Sequence, residues 1–397
     1  MKDLLCFRLV VALSLSAALA VGSFPAAPAA AEKDLCVALF SYVPDSSRFE
    51  KAIRQEWEKV HPEVSLTFAD WDGYHDEPSE DLDLFVFDAI FLSHFVEQGY
   101  LLPIPEEEIQ EKEDLVSFAM EGCRVDEVAY AVPQILCTNL LYTRKEDEKL
   151  SQVDDIESLY GILGDQMAEE EIPSAGGNEL LIDMSGGTSK VSMYLDALCD
   201  VNQAYSAYEE TPDMENTALD AIHSLRLLCQ MGGADQVQYE PEDGDAYIRA
   251  RWFAEGIGRA YIGYSEAMSA MGDYVSQVDF RPFSYAKEEN IPLMAADVVG
   301  VCGSIQEEKK PLAFELLNIL TGEAVMVSAL SPDEEHAESQ YLLPARIRVY
   351  DRLSESLPAY GKLKDITLNP ESRLYLMGTN ARAFISQAKS ILPGLVF

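Results

Sequence analysis

The chain has 397 residues, 48% of them hydrophobic, and carries 69 Asp and Glu against 29 Lys and Arg, a formal net charge of −40 with a pI near 4.3. That apolar content supports packed cores rather than disorder, and the length suggests two domains. The acidity excludes nucleic acid and anionic membrane surfaces, which need a basic footprint, whereas an acidic field favours cationic ligands.

In chain order, residues 1–31 read as a signal peptide. Lys2 and Arg8 give a basic start, residues 9–21 are apolar but short for a membrane span, and PAAPAAAEK offers small-residue cleavage sites near Ala31. A secreted or periplasmic location after cleavage is the expectation. LCVALFSYV reads as a buried strand, and Asp45 and Ser46 can cap the helix RFEKAIRQEWEKV that follows. VSLTFADW and DLDLFVFDA predict further strands, and IFLSHFVEQGY a helix. LLPIPEEEIQEKEDL is an acidic, proline-broken surface connection. VAYAVPQILCTNLLYTRK predicts two short β pieces joined through Pro133 and Gln134 without a helix, the pattern of a strand leaving one sheet for another. Helices follow at QVDDIESLYGIL and LRLLCQMGG, the second ended by glycines. GRAYIGYSEAMSAMGDY predicts a strand running into a helix, IPLMAADVVGVCG a strand, and KKPLAFELLNILTG a helix before YLLPARIRVYDRL. Strands alternating with helices predict a parallel sheet covered on both faces.

This order resembles the type II periplasmic-binding-protein fold, an α/β architecture of two lobes with a ligand cleft between them. The resemblance implies a first lobe of residues 32–135 plus about 295–345, and a second of 136–294 plus about 346–397. It places the crossover on the cleft floor, so that Cys137 faces ligand.

The six cysteines beyond the signal are Cys36, Cys123, Cys137, Cys199, Cys229 and Cys302, with no C-x-x-C and no cysteine–histidine cluster. They are too sparse for a disulfide scaffold, and Cys199 and Cys229 read as packing residues. A thiol needs a base or a positive field to become a nucleophile. The five histidines are scattered, and His94 suits a packed helix better than catalysis. Glu266, in AYIGYSEAM, stands where a strand ends and a helix begins. Burial there can raise its pKa toward neutrality and make it a base; the alternative is an ordinary first-turn Glu stabilised by the helix dipole. Strand ends also carry Trp71, Asp72, Tyr74, Asp88, Asp245 and Tyr247, and Asp297 lies inside an apolar strand, where a charge is costly without a partner. Asp88 alone could be a helix cap. Together these residues describe a cleft of tyrosine faces and carboxylates, suited to a flat, electron-poor or cationic heterocycle.

The stretches SYVPD, DWDGY, FDAIFLSHFVEQGYLLP, PQILCTNLL, PEDGDAYIRA, GYSEAM and QYLLPAR resemble bacterial thiaminase I, or thiamine pyridinylase, over essentially the whole chain past the signal. The resemblance implies that Cys137 adds to the pyrimidine ring of thiamine while Glu266 takes the thiol proton. The thiazole then leaves, and a pyridine, aniline, other amine or thiol replaces it. It implies that Asp88 and Asp297 hold the amino group and ring nitrogens, and that Tyr74, Tyr247 and Tyr264 pack on or near the rings, with Tyr42 and Phe40 beside the cleft. It implies thiamine and an organic nucleophile as partners, no nucleic acid, no membrane, a monomer, no organic cofactor and no metal. Phe40 and Ala295 stand where the family leads one to expect tyrosines, which leaves the substrate's exact form open. The alternatives are a solute-binding protein for thiamine or a pyrimidine, which has no need of Cys137 opposite Glu266, and a thiol hydrolase.

Overall fold

A computed structural model of the chain describes residues 34–397 apart from 167–171, 174–176, 178, 204–213, 215–216, 243, 288–289 and 291. The expected signal peptide, residues 1–31, lies outside the described residues. Strands β1 (Asp34–Ala38), β2 (Ser65–Ala69) and β3 (Leu84–Asp88) run parallel, with β1 in the middle. Between β1 and β2 lies α1 (Ser46–Val60), started by Asp45, whose carboxylate accepts the Ser47 amide, and buried through Phe49, Ile53 and Trp57. All five residues of β3 are buried, as expected of a strand covered on both faces. It runs into a 3₁₀ turn, Ala89–Phe91, and α2 (Leu92–Glu97).

Helix α3 (Ser117–Gly122) and a hairpin of β4 (Arg124–Val125) and β5 (Val128–Ala129) lead to β6 (Val132–Cys137) and β7 (Asn139–Arg144). Then come α4 (Ile156–Leu163), β8 (Leu180–Ile182), α5 (Gly187–Asn202), α6 (Leu219–Gly232), α7 (Ala234–Val237), α8 (Ile248–Ala254), β9 (Ala260–Tyr264) and β10 (Val278–Arg281). The chain returns through β11 (Leu293–Val301), followed by α9 (Lys310–Leu320), α10 (Glu323–Leu330), β12 (Leu343–Pro344), α11 (Ile347–Ser354), α12 (Ala359–Thr367), β13 (Arg373–Leu374) and α13 (Ala381–Val396). One sheet has the order β12-β6-β11-β3-β1-β2, with β13 also on β11; the other has the order β10-β7-β9-β8.

The expected crossover exists, but its joint is elsewhere. Pro133 and Gln134 lie inside β6, and the strand leaves its sheet only at Thr138. The register against β11 runs Asp297 to Ile135 and then Val298 to Pro133, so Gln134 is a bulge. A bulge accommodates a proline, which has no amide to give the ladder, without ending the strand. Gln134 is held there by donating its side-chain amide to the Leu320 carbonyl at 2.9 Å. Both sheets are mixed, where a parallel sheet was expected. β11 runs antiparallel to β3 and β6, and β7 antiparallel to β9 and β10.

The segment 346–397, expected with the second sheet, touches both sheets. Helices α11 and α12 pack on each other and on β12, and β13 pairs with β11. The buried Arg346 donates its guanidinium to the carbonyls of Thr321, Gln110 and Glu111 and ties the start of α11 to the first sheet's side. Lys362 of α12 pairs with Asp279 of β10, and α13 packs on α5 and α6. Among the described residues no single helix is long and apolar enough to cross a membrane.

Thr138 donates its hydroxyl to the Leu293 carbonyl at 2.8 Å, fastening the crossover to the start of β11. Thr138→Val removes that donor at constant shape and is expected to cost about 1 kcal/mol of stability, read from urea unfolding.

Candidate active site

The register of the first sheet assembles one wall of a cleft of about 980 Å³. β6 ends at Cys137, which pairs with Ala295 of β11; two residues along β11, Asp297 pairs with Asp88, the last residue of β3. Side chains two apart on a strand share a face, so Cys137, Ala295, Asp297 and Asp88 point the same way. They sit at the carboxyl ends of the parallel strands β3 and β6, where open α/β sheets bind ligands. The second sheet supplies the opposite wall. Asn139 opens β7 and pairs with Tyr264, the last residue of β9, and Glu266 follows in the first turn after that strand. The Tyr142 hydroxyl donates to the Tyr264 carbonyl at 2.9 Å and holds this strand end. Gly263 is required just before it, because the Tyr261 hydroxyl occupies the place of a side chain at that position.

Burial pushes the Glu266 carboxyl up to about 7, against hydrogen bonds from its backbone amide and the Ser265 hydroxyl. Burial likewise pushes Asp88 up to about 6, although it accepts the Tyr74 hydroxyl at 2.5 Å and the Ile90 amide at 3.1 Å. Asp88 is therefore both the cap of the turn after β3 and a cleft residue. Asp297 is raised well above the usual carboxylate range by burial and by the charges of Asp88 and Glu266. Burial and then Glu266, Asp297, Asp88 and Asp196 hold the Cys137 thiol high, so it rests protonated. Cys137 is a free thiol, as are Cys36, Cys123, Cys229 and Cys302. An acceptor-rich site whose carboxylates all resist ionisation is arranged for a cation.

Phe40, Tyr42 and Tyr74 form an aromatic group with centroids 5.2–6.1 Å apart. The Tyr42 hydroxyl donates to Asp72 at 2.9 Å. Arg382 of α13 donates to the carbonyls of Gly73, Tyr74 and Asp76 and lies 4.9 Å from the Phe91 ring, so it holds the loop that carries Tyr74.

Of the expected residues, Cys137, Glu266, Asp88, Asp297, Tyr74, Tyr264, Tyr42 and Phe40 line the cleft, as does Ala295. Tyr247 is not among the lining residues. It caps the start of α8, and burial followed by the charges of Glu266, Tyr261 and Cys137 raises its hydroxyl, which places it beside the pair. The sequence reading missed His75, Ile90, Thr188, Ser189, Ser192 and Tyr375. Thr188, Ser189 and Ser192 sit in the first turns of α5, where SGGTSKVS carries a helix-start signal; Tyr375 follows a two-residue strand that no local pattern marks.

A family model described as the Thiaminase-1 domain matches residues 138–286. The Thiaminase-1 of Paenibacillus thiaminolyticus is 45% identical over 375 residues, covering 93% of this chain and 91% of that protein. The structure of Clostridium botulinum thiaminase I in complex with thiamin is similar at a TM-score of 0.89 and 49% identity, over 91% of this chain and 99% of that one. Maltose-bound MalE3 of T. maritima, 14% identical, shares the fold at a TM-score of 0.66 over 91% of this chain and 98% of that one. The two-lobed α/β architecture is thus that of the periplasmic binding proteins.

A carboxyl raised by folding stabilises the protein fully below its unfolded pKa and loses that stability as pH climbs through its folded pKa. Glu266→Gln removes the loss. Urea unfolding is expected to show the variant near wild type at pH 4 and more stable at pH 8, by up to about 3 kcal/mol.

Proposed function

The chain belongs to the thiaminase I family, and from that premise we propose how its cleft carries out the reaction. It is a thiamine-degrading enzyme, a base-exchange transferase. The observation that carries the mechanism is Cys137 at the end of β6 in one cleft with Glu266, a carboxyl that burial brings near neutrality.

Thiamine enters as a cation, and its positive charge offsets the mutual repulsion of Asp88, Asp297 and Glu266. Asp88 and Asp297 bind the amino group and ring nitrogens of the pyrimidine, and Tyr74, Tyr264, Tyr42 and Phe40 flank the rings, with Tyr247 behind Glu266. The Cys137 sulfur adds to the pyrimidine carbon beside a ring nitrogen as Glu266 takes the thiol proton. Electron density from the adduct breaks the bond between the methylene and the thiazolium nitrogen, whose electron pair leaves with a now neutral thiazole. Glu266 releases the thiol proton to solvent as the thiazole leaves; an organic nucleophile (a pyridine, aniline, other amine or thiol) then attacks the methylene, and Glu266 takes the proton that a protic nucleophile brings and passes it to the departing sulfur, which with pyridine is reprotonated from solvent. The sulfur is then expelled and the ring restored. No step calls on a metal or an organic cofactor. Export through residues 1–31, action as a monomer and the organic acceptor belong to the same proposal.

The solute-binding alternative retains only the fold, since the maltose-binding neighbour lies far below family-level identity. The experiment that separates the readings is incubation with thiamine and excess aniline or pyridine, followed by mass spectrometry. Free thiazole alcohol with a pyrimidine–amine conjugate is expected; intact thiamine tightly bound would overturn the transferase chemistry.

Cys137→Ser is expected to keep thiamine binding by calorimetry and to lose nearly all turnover; retained turnover would remove the covalent route. Below about pH 7 Glu266 is protonated and cannot accept the thiol proton, so kcat/KM should fall with acidification through that value. Glu266→Gln should lower kcat/KM by about 100-fold or more and abolish this acid limb; an unshifted limb would assign the base elsewhere.

A further inference from the structure

The lining of the cleft is graded from buried to exposed. Asp88, Asp297 and Glu266 are 8%, 9% and 6% exposed, whereas Tyr42 is 51% exposed and the His75 side chain 67%. In the reaction proposed above the buried carboxyls take the pyrimidine. The thiazole, joined to it by one methylene, then lies nearer the mouth. The incoming nucleophile bonds the same methylene carbon and arrives from solvent, so it uses the same outer half. Tyr42 and His75 stand there, and the reaction as described gives His75 no part.

His75 is exposed but tethered. Its Nδ1 lies 2.7 Å from Asp72 Oδ2, which also accepts the Tyr42 hydroxyl at 2.9 Å, while Oδ1 accepts the Tyr74 amide at 2.9 Å. The His75 and Asp76 amides close the turn on the Asp72 carbonyl at 3.1 and 2.8 Å. Against the cost of burial, the hydrogen bonds from His75, the Tyr74 amide and Tyr42 hold Asp72 below the ordinary carboxylate range. An ionised carboxylate can only accept, so Nδ1 carries the proton and Nε2 of the neutral ring presents a lone pair. Among the described residues Nε2 has no hydrogen-bond partner. Arg382 grips the carbonyls of Gly73, Tyr74 and Asp76 around it, which keeps the turn in place. The Tyr42 ring is fixed edge-on to Tyr74 at 5.2 Å. As a surface ion pair the His75–Asp72 contact adds little stability; as a tether it aims one lone pair beside one ring face.

Such a pair discriminates between nucleophiles. A primary aromatic amine brings a ring and two N–H bonds. Glu266 takes one of those protons during attack, and the other N–H loses water as the amine enters and needs a new partner. Pyridine brings a ring and no N–H. We propose that His75, oriented by Asp72, is a specificity-determining residue of the second half of the exchange: its Nε2 accepts the second N–H of a primary amine whose ring lies on Tyr42, and the enzyme thereby favours primary aromatic amines over pyridine. Asp72 acts through His75 and Tyr42 as a positioning residue. The inference rests on the base-exchange reading and names the nucleophile class which that reading leaves open.

The test is steady-state exchange by the full chain with thiamine and either aniline or pyridine. In exchange through a covalent adduct, kcat/KM for the nucleophile reports the second half-reaction and kcat/KM for thiamine the first. In His75→Phe, kcat/KM for aniline is expected to fall by about 3- to 10-fold, the worth of one hydrogen bond, with the values for pyridine and thiamine near wild type. His75→Gln, whose side-chain oxygen can take the same N–H, should recover most of the loss. The side chain is exposed, so both variants should unfold at the wild-type Tm. An unchanged value for aniline, an equal fall for aniline and pyridine, or a fall in kcat/KM for thiamine would overturn the assignment while leaving the exchange reaction standing. Absence of exchange by the unaltered chain with either nucleophile would overturn the exchange reading itself, and this inference with it.

Discussion

One residue, Thr138, separates the last position of one sheet from the first position of the other, and the site is built on that separation. Cys137 and Asn139 can be no more than about 7 Å apart along the chain. The ends of two sheets are thereby pinned together before any ligand arrives. Hydrogen-bond register then does the rest: Ala295 and Asp297 are delivered beside Cys137 by β11, Asp88 by β3, and Tyr264 beside Asn139 by β9. Glu266 arrives two residues later because β9 ends where β7 begins.

The second constraint is electrostatic. Asp88, Asp297 and Glu266 are gathered where water is scarce, and burial raises all three. Such a cluster lowers stability at neutral pH and is kept where function needs it. It yields a base poised near neutrality, and it makes the empty cleft a poor place for anions. The thiol at its centre is discouraged from ionising by the same charges, which under the proposed mechanism means that the proton leaves sulfur as the new bond forms.

The aromatic wall is held from outside. Arg382 clamps the carbonyls of the loop carrying Tyr74, and Tyr74 holds Asp88. The helix that carries Arg382 also packs on α5, whose first turns bring Thr188, Ser189 and Ser192 to the cleft. The C-terminal helix thus touches the supports of both walls.

Much of this was legible in the sequence. The capped first helix, the apolar β3 and the strand-to-turn junctions at Asp88 and Glu266 are local patterns, governed by periodicity and capping within a few residues. So is the absence of a helix around Cys137, which marked the crossover. The mixed sheets were not legible, because strand direction depends on which partner a segment meets after a long connection. Pro133 read as a joint because a proline breaks a central ladder; only the bulge against β11 shows how it is absorbed. Tyr375 has no local mark, since its place follows from two residues of pairing with β11. The sequence by itself determined the family and most of the residues that line the cleft, Cys137 and Glu266 among them, because each is written in a short contiguous motif. The tertiary structure alone decided the shared face of Cys137, Asp297 and Asp88 and the raised carboxyls, because register and burial are relations between residues far apart in the chain.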